Sequence, residues 1–233
     1  MHLFLLSFFV GSLLSVLALT LPRYVLGYSS FKDAQLLGGD KWKRDAYVPF
    51  YPFFKKKTAM DWQSVFICLL TPILSFVVLA VYGETPEGAL YTILTWVLIL
   101  LAVIDANEKI LPDIIVKPMI AIVLVSSALG VGLPPKGALI GAAVGYLSLF
   151  SLSHAYSLIA KKKDVMGHGD FKLLALSGGL LGVSSFANLI ICSCSMGITW
   201  YYIAKLKRNE TFPFGPFIAV SLWFILIAKP FFN

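Results

Sequence analysis

Long apolar blocks dominate this chain of 233 residues and limit the folds that it can adopt. Hydrophobic residues make up 58% of the sequence and charged residues only 13%, where a soluble domain would have about a quarter charged. A helix needs about 20 apolar residues to cross a bilayer. We expect spans at 1–21, 62–82, 88–104, 114–132, 137–160, 171–185, 187–204 and 214–230. The sequence thus predicts an all-α, polytopic integral membrane protein with about eight transmembrane helices, forming one domain over residues 1–233.

The positive charges indicate how these spans are oriented. With eight spans, all of the 19 Lys and Arg residues except Lys136 and Lys229 fall on one side of the membrane. By the positive-inside rule that side is cytoplasmic. It includes the longest polar stretch, residues 22–61, which we expect to be a cytoplasmic loop between the first two spans. The net charge of +7 therefore reflects membrane topology rather than binding to nucleic acid.

Two parts of this map allow a second interpretation. Residues 171–204 hold either two short spans or one tilted span, and the basic runs on both sides favour two because both belong in the cytoplasm. Candidate turning points there are Gly178-Gly179 and Gly182-Val183-Ser184-Ser185. The first 21 residues lack a basic start and have a longer apolar run than a signal peptide, so we expect an uncleaved span.

Two aspartates stand out because a carboxylate is costly in a membrane. Asp105 ends the apolar run 94–104, and Asp170 ends a Gly-His-Gly-Asp motif just before another apolar run. An acidic residue in such a place is a functional candidate by default. The predicted topology puts both near the cytoplasmic boundary, which suggests one shared site.

Glycines would allow the helices around these aspartates to approach closely. Gly167 and Gly169 remove side-chain bulk beside Asp170. In the preceding span, glycine recurs every four residues at Gly137, Gly141 and Gly145. Small residues let backbones pack closely in lipid, so this repeat predicts a smooth face for a neighbouring helix.

Two carboxyl groups within hydrogen-bonding distance would share a proton and titrate as a unit. Such a pair suits peptide hydrolysis. The ionised group takes a proton from the attacking water, while the protonated group polarises the carbonyl and later helps the amine to leave. The alternative is a proton-coupled transporter that uses Asp105 and Asp170 as a relay. The absence of a convincing internal repeat favours the peptidase, as does the position of both acids at one membrane edge.

Several motifs together make the chain similar to a known family. The Ile-Asp at 104–105, the Leu-Pro-Asp at 111–113 and the Gly-His-Gly-Asp at 167–170 resemble those of the bacterial type IV prepilin peptidases. These enzymes are Gly-x-Gly-Asp membrane aspartic proteases. Further stretches that fit lie at 11–15, 21–22, 141–146 and 213–217, the last of these reading Pro-Phe-Gly-Pro-Phe. The presenilin-like branch shares Gly-x-Gly-Asp, but the Leu-Pro-Asp and Pro-Phe-Gly-Pro stretches fit the bacterial branch better.

The resemblance implies a specific activity. As a single membrane peptidase domain in the bacterial inner membrane, the chain would cut the basic leader from type IV prepilin or type II secretion pseudopilin precursors at the cytoplasmic face. Asp105 and Asp170 would be the catalytic pair, supported by Gly167 and Gly169. Many members also methylate the new N-terminus, for which S-adenosylmethionine would be the cofactor, whereas proteolysis would need none. The expected partners are the substrate and the lipid bilayer.

The chain departs from many family members in its cysteines. Many members carry two Cys-x-x-Cys pairs in the large cytoplasmic loop, whereas Cys68, Cys192 and Cys194 of this chain all fall in apolar blocks. We therefore expect no zinc site. We also expect no catalytic or metal-binding role for His168, because a metal site needs three or four convergent ligands.

Two acidic residues in the loop after Asp105 have open roles. Glu108 and Asp113 would attract a basic leader through their charge. For Asp113 itself, capping of the helix that is expected to begin at Ile114 is favoured over a direct catalytic role.

Overall fold

The computed structural model is helical and follows the apolar blocks closely. It describes residues 3–7, 9–14, 17, 62–160, 167–205 and 213–232. Six long helices lie within these ranges: α1 (Trp62–Tyr82), α2 (Pro86–Glu108), α3 (Asp113–Ala128), α4 (Pro135–Ala160), α5 (His168–Ile203) and α6 (Gly215–Phe232). Residues 3–7 and 9–14, called the N-terminal segment, are also helical. The prediction of an all-α protein is confirmed for the described residues, while the predicted loop 22–61 lies outside them.

Four helices in the described part of the chain are long and apolar enough to cross a membrane. They are Val65–Tyr82, Pro86–Asn107, Pro135–Ile159 and Gly169–Ile203. Leu3–Leu14 and Gly215–Phe231 are apolar but shorter. By length and composition, the protein is therefore a multi-pass membrane protein, with four candidate spans in the described residues where the sequence predicted about eight.

Local signals at both ends of α2 determine where Asp105 lies. The hydroxyl of Thr85 accepts a hydrogen bond from the N–H of Gly88 at 3.0 Å, and Pro86 begins the helix. This is a favourable start, because proline has no N–H to leave unpaired there. At the other end, Lys109 adopts a left-handed conformation with φ of 56° and donates its N–H to the carbonyl oxygen of Asp105. Asp105 thus belongs to the last turn of α2.

Helix α5 doubles back at Gly182. This residue has φ of 73° and ψ of 177°, a conformation that is practically restricted to glycine. Gly182 lies against Leu133 at one end of the molecule. In contrast, Ile203 lines a cavity with Phe217, close to the start of α6. Asp170 lies at the other terminus of α5, and it is also near the beginning of α6, as described below. Because both ends of α5 are near the beginning of α6, the two halves of α5 run in opposite directions.

The doubling back agrees with the favoured prediction of two segments in 171–204. The turning point is Gly182, whereas Gly178 and Gly179 remain helical. The first half of α5 is buried on every side, with Leu173, Leu174 and Leu176 fully inaccessible. In the second half only one face is buried. The first half is therefore the central helix of the fold, and Asp170 lies at its beginning.

Helix α4 packs closely on this central helix through glycine. A Cβ on Gly141 would lie 2.1 Å from the carbonyl oxygen of Gly178, and a Cβ on Gly145 would lie 2.2 Å from that of Leu174. These contacts make the pair antiparallel. The predicted smooth face is confirmed at Gly141 and Gly145. Gly137 does not contribute to it, because a Cβ there would have no neighbour within 4 Å.

Candidate active site

Asp105 is a buried carboxylate that receives a hydrogen bond from the start of another helix. It is 5% exposed, and its Oδ2 accepts the backbone N–H of Gly215 at 2.9 Å. Gly215 is the first residue of α6, so its N–H is one of the donors that a helix leaves unpaired at its beginning. The partial positive charge of a helix N-terminus also favours a nearby carboxylate. The buried acid and the unpaired donor thus satisfy each other.

Asp170 is the second acid of the predicted pair, and it lies near Asp105. It belongs to the first turn of α5, where its N–H donates to the carbonyl oxygen of Gly167 at 3.2 Å. Its carboxyl group is half-buried and close enough to Asp105 for a direct electrostatic interaction. The structure therefore brings together two residues that are separated in the chain by two whole helices, α3 and α4.

The Leu-Pro-Asp stretch packs on the Gly-x-Gly-Asp motif. A Cβ on Gly169 would lie 2.6 Å from the Cβ of the buried Leu111, so only glycine fits at this point without displacement. Gly167 is less confined, because a Cβ there would lie at an ordinary contact distance of 3.7 Å from Oδ2 of Asp170. Of the two glycines that flank His168, Gly169 is therefore needed for close packing, whereas Gly167 has room for a methyl group.

Asp113 binds two lysines. Its carboxylate pairs with Lys117 at 2.8 Å and also contacts Lys172 of α5. Hydrogen bonds from Lys117 and then Lys172 hold the pKa of Asp113 below its usual value. The same carboxylate thus connects the first turn of α3 with the first turns of α5, two residues from Asp170.

The expectation that the side chain of Asp113 caps a helix is wrong. The helix begins at Asp113 itself, and Pro112 occupies the cap position without a side-chain hydrogen bond. The carboxylate instead turns to the lysines, which offer charged donors. Asp113 nevertheless lies in the first helical turn, where negative charge is favourable.

Two candidate side chains from the sequence lie outside the described part of the protein, those of Glu108 and His168. Among the side chains that the structure describes, no three of His, Cys, Asp and Glu converge as metal ligands would.

Comparison with known proteins shows which family the chain resembles. Residues 92–202, which contain both aspartates, match the family model described as the type IV leader peptidase family. Over these residues, the chain is similar to the type IV leader peptidase family. The resemblance predicted from the motifs is thereby confirmed.

Relatives in this family share about a third of their aligned residues with the chain. A protein of Neisseria gonorrhoeae is 38% identical over 173 residues, covering 74% of this chain and 60% of the relative. Proteins of Pseudomonas putida and Pseudomonas aeruginosa are 35% and 34% identical, covering 66% and 73% of this chain and 55% and 60% of the relatives. All three are named prepilin leader peptidase/N-methyltransferase. The chain thus spans 55% to 60% of these relatives' length, and no solved structure matches it.

The contact between Gly215 and Asp105 is the part of the site that sequence reasoning missed. The signal was present, because the Pro-Phe-Gly-Pro stretch that contains Gly215 is one of the motifs that carry the family resemblance. Nothing in the motif itself indicates that it faces an acid 110 residues earlier in the chain.

Proposed function

We propose that the chain is an intramembrane aspartic endopeptidase that removes the basic leader from type IV prepilin or type II secretion pseudopilin precursors. The observation that carries this proposal is the convergence of three separate motifs on one pair of carboxyl groups. Asp105 and Asp170 are near each other, Leu111 packs beside Gly169, and Gly215 binds Asp105. The names of the relatives support the substrate class.

In the proposed reaction, Asp105 and Asp170 share one proton. The ionised carboxylate accepts a proton from water as the water oxygen adds to the scissile carbonyl carbon. The protonated carboxyl group donates a hydrogen bond to the carbonyl oxygen and supports the negative charge that develops there. When the C–N bond breaks, a carboxyl group supplies the proton that the departing amine takes up. Water is thus divided between the two products, and the pair returns to its singly protonated state.

The proposal includes an orientation in the membrane. Asp105 and Asp170 lie at the end of the helices where Lys109, Lys117 and Lys172 are found, and we assign this end to the cytoplasm by the positive-inside rule. The N-terminal segment, the five unbroken helices and the two halves of α5 would supply the eight spans, within a single membrane domain. The scissile bond would then meet water at the inner membrane boundary.

A second reaction, methylation of the new N-terminus with S-adenosylmethionine, belongs to the proposal only through the names of the relatives. A groove of about 450 Å³ lies beside the last turns of α2, between Leu70, Ala102 and Ala219. Its walls are almost entirely apolar, with Thr95 and Trp223 as exceptions, and do not fit the charged sulfonium and amino-acid groups of this cofactor. We therefore derive no methyl-transfer step from these residues.

The experiment that tests the proposal uses purified protein in detergent and a substrate with a basic leader followed by an apolar segment. We expect one cut ahead of the apolar segment, identified by the masses of both products. Addition of S-adenosylmethionine shows in the same spectra whether the new N-terminus gains a methyl group. Folded protein that cuts none of several leaders, but moves protons when reconstituted in vesicles, would replace the peptidase with the transporter.

A further inference from the structure

The Pro-Phe-Gly-Pro stretch presents one backbone donor of the first turn of α6 to Asp105. Pro216 has no N–H. The N–H groups of Phe217 and Ile218 both donate to the carbonyl oxygen of Phe214, at 3.1 Å and 3.3 Å. Gly215 donates instead to Oδ2 of Asp105, at 2.9 Å. The order of residues in this stretch therefore directs the N–H of Gly215 to the acid.

The same glycine leaves the space that the carboxylate occupies. A Cβ on Gly215 would lie 2.7 Å from Oδ2, 3.0 Å from Cγ and 3.3 Å from Cβ of Asp105. These three atoms are its nearest neighbours, and the first distance is shorter than real Cβ contacts allow. A side chain at this position would have to displace the carboxylate.

The backbone of Gly215 does not by itself require glycine. Its φ is not positive, unlike that of Gly182. Other residues can adopt such a conformation, so the requirement for glycine comes from the space occupied by Asp105.

We propose that Gly215 is a positioning residue for Asp105. Its N–H holds Oδ2, and the absence of a side chain leaves the space that the carboxylate occupies. The catalytic part of this inference rests on the proposed peptidase function, whereas the contact itself does not.

The contact is tested by thermal unfolding of four proteins: wild type, Gly215→Ala, Asp105→Ala and the double variant. Overpacking by one methyl group is expected to lower the Tm of Gly215→Ala by roughly 5 °C. In the Asp105→Ala background the two nearest of these atoms, Oδ2 and Cγ, are missing, so the same substitution should lower Tm by less than about 1 °C. Equal losses in both backgrounds would overturn the contact. Gly137→Ala, which adds a methyl group in open space, is the matched control and should not lower Tm.

The positioning role is tested by steady-state cleavage kinetics. A displaced carboxylate should lower kcat of Gly215→Ala on the order of 100-fold, because misplacement of a reacting group by about 1 Å has effects of this size. KM should stay within a factor of about three, since the substrate contacts are unchanged. The pH profile of kcat/KM should also change, because a backbone N–H interacts differently with a carboxylate and a carboxylic acid.

These results separate the two proposals. A wild-type protein without peptidase activity would contradict the proposed function, while the stability measurements would still decide whether Gly215 holds Asp105. A wild-type protein that cleaves, together with a Gly215→Ala variant whose kcat and pH profile match those of Gly137→Ala, would overturn the positioning role alone.

Discussion

The ammonium group of Lys172 contacts the carboxylate of Asp113. This contact connects α5, which carries Asp170, with α3, the helix that comes after the one carrying Asp105. Lys172 keeps 23% of its side-chain surface exposed and Asp113 keeps 46%, so the ion pair lies at the rim of the site, partly in reach of solvent. Such a pair contributes little stability, about 0.2–1 kcal/mol. Together with the packing of Leu111 on Gly169, it connects the beginning of α5 with the segment from Leu111 to Asp113.

Asp113→Asn should lower stability in a way that depends on pH. Because hydrogen bonds from Lys117 and Lys172 lower the pKa of Asp113, its stabilising effect is complete above the unfolded-state pKa of about 3.9. The effect is lost as the pH falls through the folded-state pKa. We expect the variant to unfold about 1–3 °C below wild type throughout pH 5–8, with the difference vanishing in stronger acid. Thermal unfolding in detergent checks this, and a difference that grows towards low pH would contradict it.

Charge in the loop after Asp105 should affect substrate binding more than turnover. If Glu108 and Asp113 attract a basic leader, replacing both with amides should raise KM severalfold at low salt and leave kcat unchanged. A substrate with a neutral leader is the control and should show no change in KM. An unchanged KM for the basic leader would remove this role from both residues.

Gly169→Ala should be far more harmful than Gly167→Ala, although the two glycines flank the same histidine. The first substitution forces a methyl group to within 2.6 Å of Leu111, whereas the second places it 3.7 Å from the nearest atom. We expect a loss of about 1–3 kcal/mol in unfolding free energy for Gly169→Ala, with reduced kcat. Gly167→Ala should remain within about 0.5 kcal/mol of wild type. Unfolding and cleavage assays on both variants decide the matter, and equal sensitivity would contradict the packing described.

Gly141→Ala tests how α4 packs on the central helix. Its new Cβ would lie 2.1 Å from the carbonyl oxygen of Gly178, so the helices must separate. We expect a loss of about 1–3 kcal/mol in unfolding free energy. The same change at Gly137 should be neutral or slightly stabilising, since alanine favours helix more than glycine by about 1 kcal/mol. Comparable Tm values for the two variants would show that the helices do not meet at this face.

The apolar blocks predicted which segments form helices better than they predicted where those helices begin and end. Residues 62–82 were expected as one span, and α1 has the same bounds. The block 88–104 was too short for α2, because the cap at Thr85 and the proline after it extend the helix in one direction and a polar turn beyond Asp105 extends it in the other. Apolar runs indicate which residues can lie in the membrane, whereas caps and backbone hydrogen bonds determine where a helix begins and ends.

The candidate site was only partly predictable, for a different physical reason. Asp105 and Asp170 were evident because charge in an apolar sequence is costly and rare. Their approach to Gly215, and the two lysines on Asp113, depend on contacts between helices, which local sequence patterns do not encode. For the same reason the repeat at Gly137, Gly141 and Gly145 predicted a packing face without showing that its first glycine lies outside it.

In the proposed mechanism, Asp105 and Asp170 act as one catalytic pair. Measuring kcat for prepilin cleavage with Asp105→Asn and Asp170→Asn tests it most directly, because asparagine keeps the shape of aspartate but cannot ionise. Glu84→Gln, which changes an exposed acid in the loop between α1 and α2, is the control. We predict a loss of at least about a thousandfold in each aspartate variant and activity close to wild type in the control. Substantial cleavage by either aspartate variant would contradict the two-carboxyl mechanism.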